Sequence, residues 1–222
     1  MGKVFNCHVD MMLELKNEIK EEFLEEITTL KTENTKLKKQ LLQSNIEHEK
    51  LQQYINRDTL KICNVEEKQG SNETENVNET IKNVMVKAGI PFNVDDISVA
   101  HRLPVARGSK LKHKSLIVKF KGRDARNNII RLKKDRMKEN AAFQSEYPDV
   151  FMTEHLTPLR SKATYELRND TTIERVWTMD GRIKVLKHGR ASGSKPINII
   201  SLDQLKLVGW SEEKIEKLVM EK

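Results

Sequence analysis

At 222 residues and a formal net charge of +7, the chain has room for one or two small domains plus an extended element. Hydrophobic residues make up 37% and charged residues 33%, which is thin for one large core and suits small domains joined to a long solvated helix. No apolar run approaches the roughly 20 residues of a membrane span. The two cysteines, Cys7 and Cys63, lack a CxxC partner, so neither a zinc site nor a disulfide framework is readable. Glu14, Lys16 and Glu18 interrupt any secretory apolar region, and Asn6 stands where a myristoylation signal needs Ser or Thr. The expectation is a soluble protein of the cytoplasm, the nucleus or both.

Residues 1–11 read as an N-terminal tail. Residues 12–57 contain no Gly or Pro and repeat with period seven. Placing position a at Leu13 gives Leu13, Lys20, Ile27, Asn34, Leu41, His48 and Ile55. The matching d positions are Lys16, Phe23, Leu30, Leu37, Ser44 and Leu51. Eight of these thirteen sites are apolar, and a seam this narrow predicts a coiled coil. Glu26 faces Lys31 and Glu33 faces Lys38 in the g-to-e′ sense, which favours parallel, in-register chains. The oligomerisation residues are therefore Phe23, Ile27, Leu30, Asn34, Leu37, Leu41, Leu51 and Ile55, in a dimer or a trimer. The competing reading is one long helix lying on its own domain.

At Asp58 the period changes, which predicts that the rest of the chain folds without the helix. Thr59 to Val65 alternates as a strand. A polar loop follows to Glu75, then a helix over Asn78–Ala88 with Ile81, Val84, Met85 and Ala88 on one face and Gly89 at its end. Ile97–Leu103 and Ser115–Phe120 read as strands, 122–138 as a helix and 150–152 as a fourth strand. The order βαββαβ over 58–155 is the plan of an RRM-like domain. In a third unit, 156–222, Thr157-Pro158 opens a helix, and Asp180-Gly181 joins two strands as a hairpin. Ile197–Ile200 is a short strand, Ser201-x-x-Gln204 a capping box opening a helix, and Glu212–Met220 a last helix. The fold class is α+β, with an N-terminal parallel coiled coil, a noncanonical RRM-like domain and a small α+β C-terminal domain.

Charge is concentrated in the second unit. Between His101 and Lys138 stand fourteen Lys or Arg and two acids, Asp124 and Asp135, a net +12. A field so one-sided attracts polyanions, nucleic acid above all. Candidate phosphate-binding residues are Arg107, Lys114, Arg123, Arg126, Arg131, Lys133 and Lys134. In the helix, Ala125, Ile129 and Leu132 read as the packed side and the cations as the solvated remainder. An RRM stacks RNA bases on aromatics of its central strands. Here Lys61, Ser115 and Ile117 take those positions, so phosphate contact is expected to dominate. His101 and His113 have no acidic or cysteine partner at useful spacing, and Trp177 is expected in the core. Asp95-Asp96 lacks a third carboxylate, and no Walker loop, nucleophile elbow or HExxH is present. The expectation is no enzyme, no metal and no cofactor.

The segments Leu60-Lys61-Ile62 through Glu67, Ile97–Arg102, Ser115–Phe120 and Arg126–Lys134 together resemble the RNA-binding protein encoded by the first open reading frame of LINE-type retrotransposons. The stretch Val176–Ile183, with Ile197–Leu205, is similar to the C-terminal domain of the baculoviral few-polyhedra (FP) protein. The first resemblance implies a self-associating coiled coil and a C-terminal domain that closes on RNA beside the RRM. It adds Arg102 and Arg160 as nucleic-acid-binding residues, and again points to Arg126, Arg131 and Lys133. The trimer-specifying Arg-h-x-x-h-Glu pattern of that family is not evident. The function expected is a non-enzymatic homo-oligomer that binds single-stranded RNA or DNA as a ribonucleoprotein coat or chaperone. The alternative is an FP-like structural adaptor that binds proteins during viral or particle assembly.

Overall fold

Helix α1 spans Gly2–Ile55 in the computed structural model, which describes residues 2–67, 75–104, 111–189, 191 and 193–220, with side chains from residue 11 onward. It begins at Gly2, where the sequence suggests a tail, and no Gly or Pro interrupts it before its end. The hydroxyls of Thr28, Thr29, Thr32 and Thr35 each donate to the carbonyl four residues back, so these β-branched residues sit in the helix satisfied.

Every side chain from Met11 to Leu41 is exposed, and below that point the helix has two different faces. Leu42, Ile46, Glu49 and Gln53 turn inward, and Ile46 is 3% exposed within a core built from the C-terminal unit. These are b and f positions of the heptad. The a and d residues Leu51 and Ile55 point away, 61% and 62% exposed. Docking of the helix thus leaves its apolar seam uncovered. It also sets a contrary packing against the expectation that the chain from Asp58 folds by itself, because Leu42 and Ile46, from the last quarter of α1, pack in the C-terminal core.

The second unit comprises β1 (Thr59–Cys63), α2 (Val77–Lys87), β2 (Ile97–Arg102), β3 (Leu116–Phe120), α3 (Arg123–Glu139), α4 (Ala141–Glu146) and β4 (Phe151–Glu154). Its sheet has the order β2-β3-β1-β4 with every neighbour antiparallel. Alternation sends Leu60, Ile62, Leu116, Val118, Phe120 and Met152 to one face, where Ile81, Val84 and Met85 of α2 and Ile129 of α3 close the core. The opposite face carries the row His101, Ile117, Lys61 and Thr153 in direct register across four strands. Asn76 caps α2 by accepting from the Glu79 amide. Helix α4 was not expected. Asn140 caps it in the same manner and it inserts Phe143 into the core.

The third unit comprises α5 (Pro158–Arg168), β5 (Ile173–Met179), β6 (Arg182–Lys187), β7 (Ile197–Ile199) and α6 (Glu212–Met220), with an antiparallel sheet β5-β6-β7. Asp180 (φ 54°) and Gly181 (φ 71°) make the tight hairpin turn that the Asp-Gly pair predicts. The segment expected as a helix after Ser201 is instead a 3-10 turn, Leu202–Val208, ended by Gly209 at φ 100°. The capping box does not form, because Gln204 Oε1 accepts from the Ile200 amide at 2.8 Å and Ser201 makes no side-chain cap. Trp177 is half-buried at the hairpin, and Trp210 is the tryptophan in this core. No helix among the described residues is long and apolar enough to cross a membrane.

Candidate nucleic-acid interface

The structure divides the sequence-predicted cations into two groups, and four of them hold the protein together. Arg102 donates to both Glu75 carboxylate oxygens, at 2.6 and 2.7 Å, and to the carbonyls of Val65, Glu66 and Lys114. Arg126 is 2% exposed and donates to Glu154 at 2.5 Å. Lys133 donates to the Met152 carbonyl. Burial pushes its ammonium below its ordinary pKa; Glu154 opposes that shift and Arg126 adds to it. Arg126, Ile129, Ile130, Lys133 and Met137 form the inward stripe of α3 with Ala125 at its edge, so Ala125 and Ile129 pack as the apolar spacing predicts while Leu132 is not among the residues packed on the core.

Arg160, on the first turn of α5, is 3% exposed. Its Nε and Nη2 grip the two oxygens of Glu49 on α1 at 2.9 and 2.7 Å, and the guanidinium also donates to the carbonyls of Gly181 and Ile200. Glu49 accepts from Thr157 as well, at 2.5 Å, and Gln53 bridges the Thr157 amide and the His155 carbonyl. The hairpin tip closes this node: the Gly181 amide faces Glu154 at 3.3 Å, and Asp180 lies 3.5 Å from Arg126. A guanidinium committed to four protein oxygens has no edge left for phosphate. The structure places Arg102, Arg126 and Arg160, with Lys133, in contacts internal to the protein, Arg126 Nε alone finding no partner among the described residues.

The other group stays at the surface. Arg123 pairs with Asp58 at 3.2 Å, Lys114 with Glu67 at 3.2 Å, and Arg131 donates to Asn128, while Lys134 is exposed. The three helix cations sit on α3, which covers the core face of the sheet, opposite the Lys61 row. Arg107 lies outside the described residues. The side chains expected to mediate oligomerisation, Phe23, Ile27, Leu30, Asn34, Leu37, Leu41, Leu51 and Ile55, are all exposed along α1.

A cleft of about 790 Å³ opens between α5 and the β1–β4 side of the helix-free sheet face, whose middle, at Cys63, Ser115 and Ile117, is itself buried. Lys61 and Cys63 of β1 and Phe151 and Thr153 of β4 form its floor, Ser161, Thr164, Tyr165 and Arg168 of α5 its wall, and His155 the connection between them. Helix spacing explains the wall: Ala163 and Leu167 point into the core, which turns Tyr165 and Arg168 outward. Strand alternation explains the floor in the same way, with Met152 and Glu154 inward and Phe151 and Thr153 outward. Among the described residues the only carboxylate lining the cleft is Glu154, and it is occupied by Arg126. Among the described residues no carboxylate pairs with Lys61 or Arg168. His155 is held below its ordinary pKa by burial first, then by Lys61 and His101. The cleft is therefore cationic, partly shielded from water and about the size of ordinary ligand clefts, roughly 300–1,000 Å³. Sequence reasoning passed over Phe151, His155, Tyr165 and Arg168 because they lie outside the basic run. Comparison of the chain with protein-family models and with curated protein sequences finds no match.

Proposed function

We propose that this protein is a self-associating, non-enzymatic binder of single-stranded nucleic acid, of the kind to which the LINE-type resemblance points. The observation that carries the reading is the cleft, which both Lys61 and Arg168 line and in which Glu154, the carboxylate among its described lining residues, is paired with Arg126. The order β2-β3-β1-β4, with α2 and α3 both on one face, supports an RRM-like assignment of the second unit. The exposed a and d residues of α1, on the side away from its docked face, support a parallel coiled coil. In that assembly each copy brings one weak phosphate site, and linkage of the copies multiplies weak sites into avidity. The surface cations Lys114, Arg123, Arg131 and Lys134 add a long-range field that steers a polyanion toward the molecule.

Retention on immobilised single-stranded RNA at physiological salt tests the reading. The full chain should be retained, and a Leu30→Asp/Leu37→Asp chain should sediment as a monomer and be retained far less. Both residues are 56% exposed in the single chain, so the substitutions spare its own cores. Retention of neither protein would remove nucleic acid as the ligand and favour the adaptor alternative.

A further inference from the structure

Four aromatic side chains are exposed among the described residues: Phe23 and Tyr54 on α1, and Phe151 and Tyr165. The last two come from different units, an edge strand and a helix, yet both line the same cleft. Phe151 is 42% exposed and Tyr165 68%, so neither serves a core. Among the other described rings of the second and third units none is exposed: Phe143 and Phe120 are buried, Phe92 packs edge-on to Phe120 at 6.5 Å, and Lys214 lies 3.8 Å from the centre of the Trp210 ring. Two uncovered rings in one cationic groove are a costly use of apolar surface unless something flat covers them.

We propose that Phe151 and Tyr165 are the base-stacking residues of this cleft, taking unpaired bases while Lys61 and Arg168 hold the flanking phosphates. The inference rests on the nucleic-acid reading above and gives it a specificity. Bases in a duplex are already stacked and offer no free face, so the cleft selects single strands. Every base has a π-face, so stacking discriminates base from no base and tolerates sequence change. The aromatic platform missing from β1 and β3 is thus moved to β4 and across to α5. The ligand lies between two units and not flat on one sheet.

The test uses the full chain and two labelled oligonucleotides of equal phosphate count, one with bases and one with abasic spacers, at salt high enough to weaken phosphate contacts. The strand with bases should bind about tenfold or more tighter than the abasic strand. Tyr165→Ala and Phe151→Leu should each bring that ratio toward one, and Tyr165→Phe should preserve it. Phe151→Leu keeps apolar volume on the edge strand, so the ring is tested without emptying the site. Equal binding of the two oligonucleotides by the unaltered chain would overturn the stacking inference and leave the phosphate-binding reading standing. So would a ratio unchanged in Tyr165→Ala and Phe151→Leu. Binding of neither strand would overturn both.

Discussion

Replacing Arg160 should cost the protein stability and should not act as the loss of a phosphate contact. The guanidinium is 3% exposed and Glu49, its partner, 2%. Arg160→Ala strands that carboxylate in the interior with only Thr157 to donate to it, and takes a donor from the carbonyls of Gly181 and Ile200. Removing one partner of a buried pair destabilises by about 3–5 kcal/mol, set against about 5–15 kcal/mol for a typical domain. With a urea dependence of ~2 kcal/mol per M, a loss of ~4 kcal/mol lowers the unfolding midpoint by about 2 M. Glu49→Met/Arg160→Met should recover most of that loss, because two apolar residues of similar size leave no charge behind. Chevron or equilibrium denaturation of the single and double variants measures it. A single-variant cost below about 1 kcal/mol, or strict additivity in the double variant, would refute the brace assignment.

The same packing makes further claims. Gly181→Ala should destabilise by more than Gly189→Ala in thermal unfolding: both glycines have positive φ, but a Cβ at Gly181 meets Gln53 Nε2 at 2.8 Å while Gly189 faces open space. Truncation before Leu42 should leave a folded monomer, whereas truncation at Asp58 should loosen the C-terminal unit by removing Ile46, Glu49 and Gln53, as hydrogen exchange of α5 and α6 would report. His155 resists protonation in the fold, so its contribution to stability is intact above the ordinary histidine pKa of about 6.5 and falls as pH drops from there toward the lower folded value. A phosphate in the cleft would favour the imidazolium. Binding should then take up a proton and tighten as pH falls through that interval, and His155→Gln should abolish the uptake measured by calorimetry in two buffers.

The elements themselves were largely legible in the sequence. Heptad spacing, the Asn-capped helix α2, Thr157-Pro158 and Asp180-Gly181 act within a few residues, so local chemistry specifies them. The long-range pairings were not. Glu49 and Arg160 stand 111 positions apart, and nothing in either neighbourhood marks the pair. Arg126 looked like a surface cation because its partner, Glu154, sits on a strand whose inward alternation starts only at Met152. The cleft was hidden for a related reason: its cations come singly from β1 and α5, while the eye goes to the run between His101 and Lys138. Charge density along the chain reported where lysines and arginines cluster, and the fold then placed several of them indoors.

The salt dependence of RNA affinity tests the central claim most directly. Affinity of the full chain for an unstructured single-stranded RNA, measured from about 50 to 200 mM salt, should fall linearly on a log–log plot. Lys61→Ala/Arg168→Ala should lower the magnitude of the slope by about two units, one for each phosphate contact removed. Lys217→Ala/Lys206→Ala, which removes the same charge from residues outside the cleft, should leave the slope unchanged. Equal slopes for both double variants, or no measurable RNA affinity at the lowest salt, would contradict the account.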